Sequence, residues 1–267
     1  MENKKKETAV VFSQEKIADG IYDMWIETGL SKNAHPGQFI SVYPKNQSII
    51  LPRPISICEV DEKKEKLRIV YRVAGKGTGE FSEYKKGESI SILGILGNGF
   101  PLEAAEGKTV FLMGGGIGIP PMLQLAKELA AANKKAGRDN SNIKIILGYR
   151  NELFLQEDLK KYGEVYIATE DGSTGSKGTV MNAIEDNGLE GDVIFSCGPM
   201  PMLRAIKEFA AANKMTAYLS LEERMACGVG ACLGCVCKTK EVDHHSHVHN
   251  ARVCTDGPVY LAEEVDI

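Results

Sequence analysis

Cys227, Cys232 and Cys235 stand as C-x4-C-x2-C, and Cys254 follows after eighteen intervening residues. Thiolates are soft, anionic ligands suited to iron, and this is the plant-type spacing that holds a [2Fe-2S] cluster. Gly228, Gly230 and Gly234 lie among these cysteines, where they let the backbone wrap closely and aim N–H groups at cluster sulfur. A structural zinc site is the competing reading, but such sites more often show paired C-x2-C knuckles. Cys237 breaks the simple count and is expected to be a buried thiol pointing away from the site. Cys58 and Cys197 are likewise expected to be packed rather than reactive. The tract His244-His245-Ser246-His247-Val248-His249 has no second ligand set with zinc or Rieske spacing and reads as a solvated loop.

Two further constellations suit nucleotide cofactors. Arg53-Pro54-Ile55-Ser56 combines a cation, a rigid turn residue and a hydroxyl, which is what a flavin pyrophosphate and ribityl chain need. Val70-Tyr71-Arg72 is followed after four residues by Gly77-Thr78, whose backbone and hydroxyl could meet phosphates where the chain turns toward a helix. Taken alone, the first is a weak signal and the second reads better as a barrel strand with a solvent-exposed arginine and a glycine turn. Farther on, Gly114-Gly115-Gly116-Ile117-Gly118-Ile119-Pro120-Pro121 lies between a strand and a helix, where backbone can approach a pyrophosphate. The prolines suit a first helical turn. Cys197-Gly198-Pro199-Met200-Pro201-Met202 repeats the design after a later strand. Glu170-Asp171 suits a ribose hydroxyl and Arg150 a 2′-phosphate, so local charge leaves NAD and NADP both open. No catalytic triad or paired-carboxylate arrangement is found, and no catalytic side chain is assigned.

These residues need a scaffold. Across residues 9–93 the apolar runs are short and β-rich, separated by turn clusters such as Lys32-Asn33-Ala34-His35-Pro36-Gly37, which predicts a small antiparallel β barrel. After Pro101 the pattern changes to strand, glycine turn, helix. Strands are expected over 109–113, 143–147, 165–169, 193–196 and 217–220, with helices over 122–129, 179–185 and 200–212, giving α/β architecture with a doubly wound parallel sheet. The expected organisation is an FAD-binding barrel domain over 1–101, an NAD-binding α/β domain over 102–220 and a [2Fe-2S] loop region over 221–267.

Composition bounds the rest. The chain has 267 residues, 43% hydrophobic, enough for two modest cores. A net charge of -4 argues against a nucleic-acid surface, and Lys4-Lys5-Lys6 is too short a basic run to alter that. No signal-peptide pattern and no apolar run long enough to cross a bilayer is seen, so a soluble, cytoplasmic protein with no membrane partner is expected. Seven cysteines, five of them within 227–254, suit metal or redox chemistry better than a disulfide framework.

Jointly, the barrel with Arg-Pro-x-Ser, the glycine-rich nucleotide domain with Cys-Gly-Pro-x-Pro-Met, and the terminal cysteine pattern resemble the ferredoxin reductase superfamily. Within it, Arg53-Pro54-Ile55-Ser56-Ile57-Cys58, the turn at 114–121 and Ser220-Leu221-Glu222-Glu223-Arg224-Met225 are most similar to the electron-transfer subunits of dihydroorotate dehydrogenase B. Ile95 stands where such proteins often have proline, and the histidine-bearing insert lengthens the gap before Cys254. The resemblance covers nearly the whole chain. It implies FAD contacts at Arg53, Pro54, Ile55, Ser56, Val70, Tyr71, Arg72, Gly77 and Thr78, and cluster ligands at Cys227, Cys232, Cys235 and Cys254. Nucleotide contacts are expected at Gly114, Gly115, Gly116, Gly118, Cys197, Gly198 and Pro199, with NAD favoured through the resemblance. It also implies a partner, an FMN-containing catalytic subunit that oxidises dihydroorotate in pyrimidine biosynthesis, in a heterotetramer of two of each. A subunit of a sulfide dehydrogenase or NADPH:ferredoxin oxidoreductase is the alternative with the same cofactors. A zinc-stabilised nucleotide-binding regulator is the alternative from another class.

Overall fold

The computed structural model describes residues 4–242 and 247–267. Strands β1 (Lys5–Ala18), β2 (Ile21–Glu27), β3 (Phe39–Tyr43), β4 (Arg53–Val60), β5 (Lys66–Arg72) and β6 (Ser89–Leu96) close into a barrel in the order β1-β2-β5-β4-β3-β6. Every pairing is antiparallel. The period-two alternation of these segments becomes a buried apolar cluster that includes Val11, Met24, Ile26, Ile40, Val42, Leu67, Ile69 and Ile92. Helix α1 (Lys76–Phe81) follows β5, and its Phe81 packs edge-on against Tyr71 with ring centroids 6.2 Å apart. Strand β3 serves two layers: Ile40 and Val42 join the barrel core, whereas Phe39 belongs to the apolar cluster that contains Cys235, Cys237 and Cys254.

The second layer is built from β7 (Val110–Gly115), α2 (Pro120–Lys135), β8 (Ile143–Tyr149), α3 (Gln156–Leu159), β9 (Glu164–Thr169), β10 (Ser176–Lys177), α4 (Val180–Asp186), β11 (Val193–Cys197), α5 (Met200–Ala212) and β12 (Thr216–Ser220). After it come β13 (Val236–Lys238), β14 (Asn250–Arg252) and β15 (Val259–Leu261). The sheet order is β10-β9-β8-β7-β11-β12-β15, parallel throughout except that β15 runs antiparallel to β12. Along β7, Val110 and Leu112 face a cluster shared with Leu125 of α2 and Leu159 of α3, while Phe111 and Met113 face one shared with Ile184 of α4 and Ile206 of α5. Helices therefore cover both faces, the doubly wound arrangement expected. Pro120 and Pro121 begin α2, where the missing N–H groups cost no helical hydrogen bond.

The segment after β12 is not independent of that sheet. Strands β13 and β14 form a small hairpin, and β15 returns to the sheet edge, with Ser220 registered against Val259. In the histidine tract, His244 and His245 lie outside the described residues. His247 and His249 are exposed, and His249 Nδ1 lies 2.9 Å from the Lys240 carbonyl oxygen.

A polar latch joins barrel to sheet domain. Arg68 on β5 reaches Asp23 Oδ2 at 2.7 Å, Glu59 Oε2 at 3.1 Å and Asp158 Oδ2 at 3.1 Å, the last from α3. Lys127 of α2 meets Glu59 Oε1 at 2.9 Å and donates to the Val60 carbonyl, while the Val60 N–H donates to Gln124 Oε1 at 2.8 Å. Every charge in this group has a partner, which offsets the cost of drying it. Among the described residues no helix is long and apolar enough to cross a membrane.

Candidate functional site

The structure gathers the four cysteines of the C-x4-C-x2-C…C pattern as two pairs. The side chains of Cys227 and Cys232 are within hydrogen-bonding reach of each other, and so are those of Cys235 and Cys254. Among the described residues no three His, Cys, Asp or Glu side chains are grouped to hold one metal ion. A structural zinc needs four ligands around one point, whereas the irons of a [2Fe-2S] cluster share their four cysteines two by two. Two neighbouring pairs fit the iron–sulfur donor set.

The backbone around the outer pair is turned toward sulfur. The N–H groups of Val229 and Ala231 donate to Cys227 Sγ at 3.4 and 3.3 Å, and the Gly234 N–H donates to Cys232 Sγ at 3.4 Å. Gly228 and Gly230 take φ of 66° and 84°, a region side chains disfavour, and this lets successive N–H groups point inward. Burial works to raise the Cys227 thiol, but the N–H groups of Val229 and Cys232 outweigh it and bring the thiol down to about 6. Cys254 is pushed up to about 12 by burial and by the adjacent Cys235. Cys232 is exposed, flanked by exposed Val229 and Leu233, whereas Cys235 and Cys254 are buried. Cys237 stands on β13 in the apolar cluster, outside both pairs, and burial raises its thiol. Cys58 and Cys197 are fully buried, which raises both thiols and leaves them packed.

A cavity of about 760 Å³ opens where the barrel, the sheet domain and the segment after β12 meet, within the size range of cofactor sites. Arg53, Pro54, Ile55 and Ser56 of β4 and Val70, Tyr71 and Arg72 of β5 all line it. Gly77 is not in its wall but abuts it: a methyl group placed there would stand 2.9 Å from the Arg53 guanidinium carbon, so the bare backbone makes room for that cation. The Thr78 hydroxyl accepts from the Ala74 N–H at 2.9 Å and caps α1. From the sheet domain, Ile117 of the glycine turn and Ser220 at the end of β12 reach the cavity. Gly116 sits next to Arg72, with a would-be methyl 3.8 Å from its guanidinium nitrogen.

The two glycine turns meet at the carboxyl ends of neighbouring strands, Gly114 registered against Cys197. A methyl on Gly115 would lie 2.4 Å from Met202 Sδ, and one on Gly198 2.9 Å from Met202 Cε. Backbone of residues 114–118 and 197–199 thus forms one surface at the edge where such sheets bind nucleotides. Arg150 and Glu170 directly follow β8 and β9 and approach each other at 3.7 Å, both exposed, which leaves the choice between NAD and NADP open.

Some wall residues escaped the sequence reading. Phe39, Leu221, Glu222 and Met225 line the cavity, and Phe39, Leu221 and Met225 also belong to the apolar cluster containing Cys235 and Cys254. They join the cavity wall to the apolar cluster that holds those cysteines. Glu222 sits at the open side of the cavity, yet its lost hydration raises the carboxyl above the usual range and it acts on Cys197. The run Ser220-Leu221-Glu222-Glu223-Arg224-Met225 was visible as a motif, but nothing local says that it faces the barrel.

Comparison with known proteins bears on the same residues. The model for the iron-sulfur cluster binding domain of dihydroorotate dehydrogenase B matches residues 222–266, and that for an oxidoreductase NAD-binding domain matches 112–208. The chain is 43% identical over 260 residues to the dihydroorotate dehydrogenase B (NAD(+)), electron transfer subunit of Caldanaerobacter subterraneus subsp. tengcongensis, covering 97% of this chain and 98% of that one. It is 41% identical over 266 residues to the subunit of the same name from a Bacillus cereus strain, covering 98% of each. Among solved structures, an NADH-dependent reduced ferredoxin-NADP oxidoreductase superposes with a TM-score of 0.81 at 27% identity, covering 97% of this chain and 89% of that one. A ferredoxin NADP+ reductase from Neisseria gonorrhoeae shares the fold, with a TM-score of 0.61 at 15% identity over 79% of this chain and 92% of that one.

Proposed function

The chain belongs to the family of dihydroorotate dehydrogenase B (NAD(+)) electron transfer subunits, and on that premise we propose that it conducts electrons from an FMN-bearing catalytic partner to NAD+ by way of a [2Fe-2S] cluster and FAD. It is an oxidoreductase subunit of pyrimidine biosynthesis that works with a catalytic partner. When bound, FAD joins the two-electron chemistry of nicotinamide to the one-electron chemistry of the cluster.

The chain's own residues divide the labour. Arg53 offers a guanidinium to the flavin pyrophosphate, with Gly77 giving it space, while Ser56 and the β5 residues Val70, Tyr71 and Arg72 hold the remainder of the cofactor in the cavity. Residues 114–118 and 197–199 present backbone to the dinucleotide. Cys227 and Cys232 would hold one iron, and Cys235 and Cys254 the other, since those side chains lie paired. The observation that carries this reading is that Phe39 and Met225 line the cavity and also belong to the apolar cluster that holds Cys235 and Cys254, so the two cofactor sites share packed side chains.

The catalytic partner docks, in this proposal, on the face bearing Cys232, where exposed Val229 and Leu233 offer apolar surface. We propose an assembly of two subunits of each kind, following the family resemblance, and a cytoplasmic setting, in keeping with seven cysteines that are all free. The alternative of a sulfide dehydrogenase or NADPH:ferredoxin oxidoreductase subunit has less support, since identity to the ferredoxin-linked structure is 27% against 43% to the dihydroorotate dehydrogenase subunit.

The test is reconstitution of the full chain with FAD, iron and sulfide, followed by addition of an FMN-bearing dihydroorotate-oxidising partner. Dihydroorotate-dependent NAD+ reduction is expected, and Cys232→Ser should abolish it while the bound flavin remains. Zinc as the resident metal, or undiminished transfer in Cys232→Ser, would overturn the reading.

A further inference from the structure

Three buried hydroxyl oxygens among the described residues lack a hydrogen-bond partner: Ser41 Oγ, Tyr84 Oη and Tyr260 Oη. An unpartnered buried hydroxyl loses its hydration with nothing in return, so each asks for a reason. Tyr84 lies in the barrel, with the Lys45 ammonium 4.3 Å over its ring. The other two converge on the cysteine segment from different parts of the molecule.

Ser41 is fully buried on β3, between Ile40 and Val42, which face the barrel core. Its own side chain points the other way: a methyl placed on Gly228 would stand 3.4 Å from Ser41 Oγ, one residue from Cys227. Tyr260, on β15, is 6% exposed and stands beside Cys237 and Cys235. A methyl on Gly257, three residues past Cys254, would stand 2.6 Å from its hydroxyl oxygen. Tyr260 lies within reach of the Cys237 thiol, but that thiol is a weak acceptor and leaves the hydroxyl short of a full hydrogen bond.

We propose that Ser41 and Tyr260 donate hydrogen bonds to the sulfur atoms of the iron–sulfur cluster, so that its reduction potential is set in part by one barrel residue and one sheet residue outside the cysteine loop. The inference rests on the reading of Cys227, Cys232, Cys235 and Cys254 as cluster ligands. Its physical basis is that a hydroxyl is a donor whose bonds strengthen toward anionic sulfur. The reduced cluster carries one more negative charge than the oxidised one, so a donor favours reduction and its removal makes the potential more negative. Ser41 and Tyr260 are positioning and tuning groups, and no covalent step passes through them.

The experiment compares the full-length wild-type chain with Ser41→Ala, Tyr260→Phe and Tyr84→Phe, each purified anaerobically with its cofactors. Iron and sulfide content is measured, then the cluster is titrated with reductant and followed by electron paramagnetic resonance. Ser41→Ala and Tyr260→Phe are expected to keep the cluster and shift its potential negatively by up to about tenfold in the oxidised-to-reduced equilibrium, about 59 mV for a one-electron couple. Tyr84→Phe is expected to match wild type. An unchanged potential in Ser41→Ala or in Tyr260→Phe overturns the assignment of that hydroxyl, and an equal shift in Tyr84→Phe overturns both. Should Ser41→Ala lose the cluster, Ser41→Thr must restore it at the wild-type potential, or the role of Ser41 is refuted. Should Tyr260→Phe lose it, fluorotyrosine at position 260, a stronger donor, must raise the potential, or the role of Tyr260 is refuted. A wild-type chain without [2Fe-2S] absorption would instead refute the ligand reading itself, before any variant is compared.

Discussion

A methyl group on Gly118 would stand 2.3 Å from the carbonyl oxygen of Cys197, closer than any side chain can approach backbone. The two glycine turns of the sheet domain are therefore seated on each other, and the shape of one depends on the other. Gly118→Ala is expected to destabilise the chain by about 1–3 kcal/mol or more, since backbone rather than a flexible side chain must move. It should also weaken NAD binding while leaving the flavin absorption in place. Thermal unfolding and NADH titration of the variant check both effects.

Arg53 and Gly77 make a second such pair, this time around a cation. Arg53→Ala removes a charge-assisted hydrogen-bond donor from the cavity wall, a loss of about 1.5–3 kcal/mol, or roughly ten- to hundredfold in FAD affinity. Gly77→Ala should act in the same direction by displacing the guanidinium, whose carbon lies 2.9 Å from the position of the added methyl. Equilibrium dialysis of FAD against both variants tests the pairing. Normal retention by Gly77→Ala alongside loss in Arg53→Ala would show that the guanidinium has other room to occupy.

The latch around Arg68 gives a prediction about stability. Arg68→Met leaves Asp23, with a side chain only 4% exposed, without its cation, and should cost about 3–5 kcal/mol. Asp158 is half-open to solvent and its loss should cost less. Burial works to raise the Asp158 carboxyl, but Lys161 and Arg68 hold it below its ordinary 3.8. Its contribution is thus complete above about pH 3.8 and fades as pH falls through the lower folded value. Asp158→Asn should be less stable than wild type at pH 7, with the gap closing below pH 4. Denaturant midpoints across this range would show it, and a pH-independent gap would count against the ion pair.

Glu222 behaves with the opposite sign. Although its side chain is exposed, lost hydration in the cavity wall raises its carboxyl above the ordinary 4.5, so the folded chain binds that proton more tightly than the unfolded one. The resulting stability is present below about pH 4.5 and is lost as pH rises through the folded value. Glu222→Gln cannot ionise and should gain stability relative to wild type as pH rises from 4.5 through the folded value. A difference that stays flat over that interval would contradict the raised carboxyl.

What could be seen in the sequence follows from how local each signal is. The strands of the barrel and of the parallel sheet carry five or more periodic residues, and the helices 180–186 and 200–212 declare themselves through spacing. Strands β10, β13, β14 and β15 span two or three residues, too few to show any period, and are fixed by what they pair with. Cysteine spacing is itself chemistry, so the cluster segment was legible. Phe39 was not, because an apolar residue on a strand reads the same whether it faces a core or a cofactor. Arg68 was equally silent, since a lone cation on a strand looks solvated until Asp158 arrives from another domain.

The register of Ser220 with Val259 carries a last consequence. The whole cysteine excursion leaves and rejoins the sheet at adjacent rungs, like a handle riveted at both feet. Its ends are held by ordinary strand pairing whatever occupies it, so stripping the iron should slacken the handle and spare the vessel. Such a geometry also explains how a redox module can be fitted to an existing nucleotide domain: no strand order has to change for it to be added.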